Sequence, residues 1–364
     1  MQDQFPIFTP VELLGAFKED SKLELFWKPM AFNNAPIFSD DKEIEFSKIS
    51  TLRRIAPFVR PDSDGVPIYN NRETVERIKP AYIKMEDAVK ASEFTGRREI
   101  GAGELGAAGQ GKALTPQERW MFRIAEITKQ HEDAKMIRLE VMCFQAIADG
   151  IVQVQYDDTN SINNVNFGRD PAHDITLLPG QLWTDPGVNP LNDLTAFRRI
   201  MHRPTGPAAA NRFKGRFTIL VMGVDAAEAF RQNEQVREEL DVDIANFRGK
   251  TAVNRQVLEG TDIELIGVLN NGVEVYAYNE YFEDDQGNIV NIMDPRDVVA
   301  LNPRMVKGQI AYGTIESFAA DLKSMAMFPN MYQTKDGRDV FLCHESAPMV
   351  FPINPNATLR ARVV

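Results

Sequence analysis

The chain has 364 residues, of which 43% are hydrophobic and 26% charged, enough for a sizeable core and for two or three domains. A formal net charge of −11 argues against a protein that wraps nucleic acid by neutralising phosphates, which needs a basic face. The two cysteines, Cys143 and Cys343, are far apart and give no disulfide framework, and the start Met1-Gln2-Asp3-Gln4-Phe5 has no secretory signature. No apolar run reaches the ~18 residues of a membrane span, so no membrane partner is expected.

Residues 1–42 are broken by Pro6, Pro10, Pro29 and Pro36, with one short helical candidate from Pro10 to Phe17. Phe5, Phe8, Phe26, Trp27, Phe32 and Phe38 are scattered through them. Such a stretch cannot fold alone and reads as an arm lying on something else. Glu43 to Ser47 alternates as a strand does. Segments around Ile55 to Arg60, Val66 to Tyr69, Thr74 to Ile78 and Ala81 to Lys84 continue the pattern, with a turn at Pro61 to Gly65. Together they predict a long two-stranded hairpin with Pro57, Pro67 and Pro80 on free edges.

A Gly- and Ala-rich linker over 96–114 precedes the sharpest local signal. Thr115-Pro116-Gln117-Glu118 is a capping box with Pro at the first helical position. Apolar residues then recur at Trp120, Ile124, Ile127, Ala134, Ile137, Val141, Phe144 and Ala148, and Asp149-Gly150 closes the helix. A strand pair, Ile151 to Tyr156 and Val165 to Phe167, is expected around a polar turn from Asp157 to Asn164. Next come a helix near Leu191 to Met201, a buried strand at Phe217 to Met222, and a capped helix at Asp225 to Phe230. Ile263 to Leu269, Asn270-Asn271-Gly272 and Val273 to Tyr278 form a strong hairpin signal. A second turn follows at Glu283 to Asn288, and the last strands are Val340 to His344 and Met349 to Phe351. The class is mixed α+β with mainly antiparallel strands.

Motifs for chemistry fail on context. Gly101-Ala102-Gly103-Glu104-Leu105-Gly106 spells a dinucleotide fingerprint, but no helix pattern follows directly. Gly106 to Lys112 nearly spells a phosphate loop, yet Ala113 stands where a magnesium-binding Ser or Thr belongs. His131, His173, His202 and His344 show no ligand spacing, and Cys343 and His344, adjacent on a strand, point to opposite faces. Cys143 reads as a buried inert thiol. The acidic turns at Asp62 to Gly65 and Asp284 to Gly287 are too short for a calcium loop. No catalytic, cofactor or metal residues are therefore assigned, and an enzyme is not expected.

The order of pieces, arm, hairpin, linker, long helix, strand pair, sheet domain and returning strands, resembles the major capsid proteins of lambda-like tailed phages (the capsid protein E family). The stretches that carry the resemblance are Lys79-Pro80-Ala81-Tyr82-Ile83-Lys84, Phe217 to Val221 with Ala229-Phe230, Val236 to Asp241, Tyr312-Gly313-Thr314-Ile315 and Ser346-Ala347-Pro348-Met349. Their collinear order makes the match specific. The resemblance implies a Hong Kong 97 fold: an N-terminal arm at 1–45, an E-loop hairpin and linker start at 46–95, and a P-domain at 96–190 with a spine helix at 115–149. An A-domain at 191–335 and returning P-domain strands at 336–364 complete it. It further implies a homo-oligomer of pentamers and hexamers forming an icosahedral shell. That shell would enclose double-stranded DNA without reading its sequence, and would assemble through a procapsid in the host cytoplasm. A scaffolding protein, a portal protein and a decoration protein are the implied partners, the scaffold separate because no large extension precedes residue 1. Ile55, Phe58, Val59, Ile68 and Tyr69 are expected to be buried by a neighbouring subunit. An encapsulin-like nanocompartment shares this fold and is the alternative reading, and a nucleotide-binding enzyme using the glycine stretch is the third.

Overall fold

The computed structural model describes residues 25–49, 73–94, 116–156, 159–202, 216–241, 263–269, 272–283, 287–335 and 337–364. Its helices are α1 (Trp27–Ala31), α2 (Pro116–Ala148), α3 (Pro190–His202), α4 (Val224–Gln232), α5 (Glu234–Glu239) and α6 (Pro303–Val306). The early strands are β1 (Ile37–Phe38), β2 (Ile44–Ile49), β3 (Glu73–Ile78), β4 (Ile83–Lys90), β5 (Ile151–Tyr156), β6 (Thr159–Asn166) and β7 (Asp174–Thr176). The middle strands are β8 (Ile219–Met222), β9 (Leu240–Asp241), β10 (Glu264–Leu269), β11 (Glu274–Ala277), β12 (Tyr281–Glu283) and β13 (Ile289–Asn291). The last are β14 (Asp297–Leu301), β15 (Gly308–Tyr312), β16 (Phe328–Gln333), β17 (Asp339–Ser346), β18 (Pro348–Pro352) and β19 (Thr358–Arg362). None of the described helices is long and apolar enough to cross a membrane.

Two features set the frame. The first is α2, 33 residues and so roughly 50 Å long. It ends where the sequence places its stop: Gly150 takes a left-handed φ of 67° that a side chain would resist. Arg169 donates from Nη1 to the carbonyls of Ile147 and Ala148, placing a cation on the negative end of the helix. The second is a seven-stranded mixed sheet in the order β7-β19-β14-β8-β11-β10-β9. β8 lies parallel to β11 and antiparallel to β14, so Leu220 faces Val275 on one side and Ala300 on the other. Every residue of β8 and β14 is buried, as a short continuous apolar run requires. The sheet takes strands from residue 174 to residue 362, and β19, at the end of the chain, lies inside it between the edge strand β7 and β14.

Smaller sheets complete the molecule. β16-β17-β4 and β1-β15-β18 flank α2, and β2–β3, β5–β6 and β12–β13 are two-stranded ribbons. One large core joins the seven-stranded sheet to the second half of α2. A second, formed by Val89, Trp120, Ile124, Ile127, Met331, Val340 and Leu342, joins the β16-β17-β4 sheet to its first half.

Several expectations change. The predicted hairpin is β2 paired with β3 at its base, but the chain beyond Pro80 leaves it, and β4 pairs along its whole length with β17. The supposed polar turn at Asp157 to Asn164 is mostly strand: β6 starts at Thr159, because pairing with β5 satisfies its backbone despite weak β-formers. The helix at Val224 is capped by Gly223 rather than by Asp225, and no side chain bonds the cap. A Cβ at Gly223 would sit 2.4 Å from the Pro295 carbonyl oxygen, so close packing selects glycine there. Phe26, Trp27 and Phe32 are not spare aromatics awaiting another surface; all three are buried in the large core. The helical candidate at Pro10 to Phe17, the segments around Ile55 and Val66, and the glycine stretch lie outside the described residues.

Candidate functional site: buried polar clusters and exposed edges

The apolar period along α2 is right only in part. Trp120, Ile124, Ile127, Phe144 and Ala148 are buried, but Ala134 is exposed and Ile137 and Val141 are half-buried. Between Ile127 and Leu139 the buried stripe continues through His131 and Lys135, and Glu140 is buried beside it. Those polar residues organise the molecule.

Glu140 holds α1 onto α2. Its Oε1 accepts from the backbone N–H of Phe26 at 2.7 Å and of Trp27 at 2.5 Å, and its Oε2 from that of Lys28 at 3.0 Å. These are donors that a first helical turn leaves unpaired, and a carboxylate there also meets the positive end of the helix. Burial pushes the Glu140 carboxyl up, with the three N–H bonds pulling the other way. Around this point Trp27 packs edge to face on Phe26 and Tyr278, and tilted ring contacts join Phe26 to Tyr278 and Trp27 to Phe144.

Asp297, fully buried in β14, gathers two arginines of the neighbouring strand β19. Its Oδ2 accepts from Nε of Arg360 at 2.7 Å and its Oδ1 from Nε of Arg362 at 3.0 Å. Arg360 also bonds Asp149, just past the end of α2, and Arg362 bonds Asp294 at 2.6 Å. One chain of charges thus connects the long helix to the seven-stranded sheet.

His131 and His344 meet although their sequence positions gave no sign of it. His131 Nε2 lies 2.7 Å from Asp87 Oδ2, and its Nδ1 lies 2.6 Å from Nδ1 of His344. The relay ties α2 to β4 and β17. Burial, with His131 and Lys135 close by, holds the His344 pKa at about 3, so this ring is neutral at pH 7. Two histidines and one carboxylate joined ring to ring do not converge on a point, and among the described residues no group of three or more His, Cys, Asp and Glu side chains could hold a metal ion. Cys143 and Cys343 are free and buried. Burial drives the Cys143 thiol well up and that of Cys343 to about 11.

Exposed apolar side chains gather on edges. Ile37 and Phe38 lie on β1, Tyr281, Ile289 and Val290 on the β12–β13 ribbon, and Phe318 is 90% exposed at the start of a 3-10 turn, Phe318–Ala320, after which Asp321 and Leu322 have positive φ. The five residues expected to meet a neighbour, Ile55, Phe58, Val59, Ile68 and Tyr69, lie outside the described residues.

The family model described as phage major capsid protein E matches residues 9–363. The chain belongs to the phage major capsid protein E family. This capsid protein is a shell-building molecule by family, a class of structural proteins and not of enzymes. Its fold is that of the Hong Kong 97-like capsid proteins. A protein assigned as a prophage capsid protein of Escherichia coli CFT073 superposes with a TM-score of 0.73 at 17% identity, covering 99% of this chain and 100% of that one. The capsid of cyanophage A-1(L) gives 0.48 at 11% identity, over 100% of this chain and 95% of that one. Comparison with curated proteins found no match.

Proposed function

We propose that many copies of this capsid protein, grouped as pentamers and hexamers, close into the icosahedral head of a tailed phage around double-stranded DNA. Assembly takes place in the host cytoplasm with a scaffolding and a portal protein, and a decoration protein then binds outside. The observation that carries this reading is the family match from residue 9 to residue 363. The phage family favours a head over a cargo compartment. The net charge of −11 suits a wall that must not trap packed DNA.

In this reading residues 1–45 are the arm, 46–95 the E-loop, 96–190 with 336–364 the P-domain, and 191–335 the A-domain. The exposed apolar side chains of β1 and the β12–β13 ribbon support it. Scattered exposed apolar residues are ordinary, but a two-stranded ribbon carrying several is marginal unless another surface covers it.

The test is expression with and without the adjacent scaffold, followed by size-exclusion chromatography and electron microscopy. Closed shells or hexagonal tubes are the expected product. Phe58→Asp, on the E-loop, should give soluble protein without shells. A monodisperse monomer or dimer from the unaltered chain under both conditions would rule the reading out. Normal shells from the variant would remove Phe58 from the contact.

A further inference from the structure

Three features follow one another along β17. Val340 and Leu342 enter the smaller core, which they share with Trp120, Ile124 and Ile127 of α2. His344 comes next and meets His131, one turn beyond Ile127 on the helix. Past the end of the strand, Ala347 enters a third cluster with Ile315, Ala320 and Phe328, to which α2 contributes nothing. The β16-β17-β4 sheet is thus anchored at one end away from the helix. Its other end is held on the first half of α2 by the smaller core and the histidine contact. The second half of α2 belongs to the large core instead.

The histidine contact has a protonation limit. The two Nδ1 atoms are 2.6 Å apart, and ring nitrogens bond to each other only when one carries a proton and the other does not. With both rings cationic each Nδ1 bears a hydrogen. The bond is then lost, and two positive charges face each other with ring centres 4.8 Å apart. The surroundings offer little relief. Asp87 of β4, in contact with Nε2 of His131, is exposed to water and also lies near Arg123. Lys135 of α2 adds a further positive charge near His344, with Glu132 beside that lysine. The other charged groups of the two strands, Lys84, Glu86, Lys90, Asp339 and Glu345, alternate to the opposite face of the sheet. Burial, His131 and Lys135 hold the His344 pKa at about 3 while the sheet is seated, whereas a ring freed into water titrates near 6.5.

We infer that the His131–His344 pair is an acid-operated latch. When both rings are protonated, the Lys90 and Asp339 end of the β16-β17-β4 sheet lifts from the first half of α2, pivoting on the third cluster, while the second half of the helix stays on the seven-stranded sheet. Below about pH 6.5 the lifted state takes up a proton that the seated state refuses until about pH 3. Seating is therefore complete above that window and weakens about tenfold per pH unit within it.

Hydrogen–deuterium exchange of the full chain tests this, read by mass spectrometry at pH 7 and pH 5 with each rate divided by the intrinsic rate at that pH. Exchange over residues 116–131 and in β4 and β17 should rise on the order of 20-fold at pH 5, because half a helix and a small sheet stripped of their shared core are marginal. At pH 5 these amides should also exchange at least about tenfold faster than those of β8 and β14, which open only when the whole molecule unfolds. His344→Gln keeps a polar side chain that cannot take the proton, and should remove the difference between the two pH values. His131→Gln replaces it, on the same criteria, if that variant does not fold. A single rate shared by all these segments, a pH-independent rate in β4 and β17, or the full rise in the glutamine variant overturns the inference. If neither variant folds, the parent profile decides, and a rise of less than about tenfold overturns the latch.

Discussion

His344 is neutral in the folded protein because its ring is out of water and faces His131 and Lys135. In the unfolded chain a histidine titrates near 6.5. Between about pH 6.5 and pH 3 the unfolded state therefore binds a proton that the native state refuses. The stability this difference preserves is complete above the unfolded pKa and falls as the solution is acidified, by about 1.4 kcal/mol per pH unit. His344→Gln keeps a polar side chain without that titration. From pH 7 to pH 5 the unaltered protein should lose about 2 kcal/mol more than the variant in urea unfolding. Parallel losses in the two proteins would show that His344 does not titrate across unfolding. The residues of this cluster were half visible in the sequence. His131 and Lys135 continue the stripe Trp120, Ile124, Ile127 at helical spacing, and a polar residue in phase with an apolar stripe is a signal of buried polarity. Reading by hydrophobicity alone passes over it and selects Ala134 instead. Its partners, Asp87 and His344, come from strands far away in sequence, and no local pattern could supply them.

Among the elements, α1 is five residues long and too short to persist without help. It is held by Glu140 and by its own buried aromatics. Glu140→Gln replaces one acceptor oxygen with an amide donor that faces a backbone N–H. It should cost about 2–3 kcal/mol, read as a lower urea midpoint with unchanged slope. A variant as stable as the parent would mean that water or a shifted backbone satisfies those groups. The bounds of α2 were legible because the capping box, the proline and Gly150 are local chemistry. So were β8 and the β10–β11 hairpin, where composition and turn residues agree. The departure of β4 from its hairpin was not. Pro80 packs against Gly313, where a Cβ would come within 2.6 Å of its ring, and β17, the strand that β4 joins, begins only at Asp339.

For the whole molecule the decisive joint is Asp297. It sits in β14, takes two arginines from β19, and through Arg360 reaches Asp149 at the end of α2. Asp297→Ala leaves two partly buried guanidinium groups without their shared carboxylate, and a loss of about 3–5 kcal/mol is expected from thermal or urea unfolding. A loss under 1 kcal/mol would mean that Asp149 and Asp294 suffice (about the worth of a surface pair). The α+β class and the capsid resemblance were readable from the order of pieces. The sheet order was not, because its pairings join residues 174, 222, 277, 298 and 362, and such pairings are set by packing rather than by neighbours in sequence.

Both thiols of the chain are enclosed, Cys143 without exposure and Cys343 at 2%, and burial raises the pKa of each. To a maleimide dye the native molecule is therefore almost blank. A single cysteine introduced at Phe318 would carry the whole fluorescence signal, and paired dyes on two copies could time their approach during assembly without either native cysteine having to be removed.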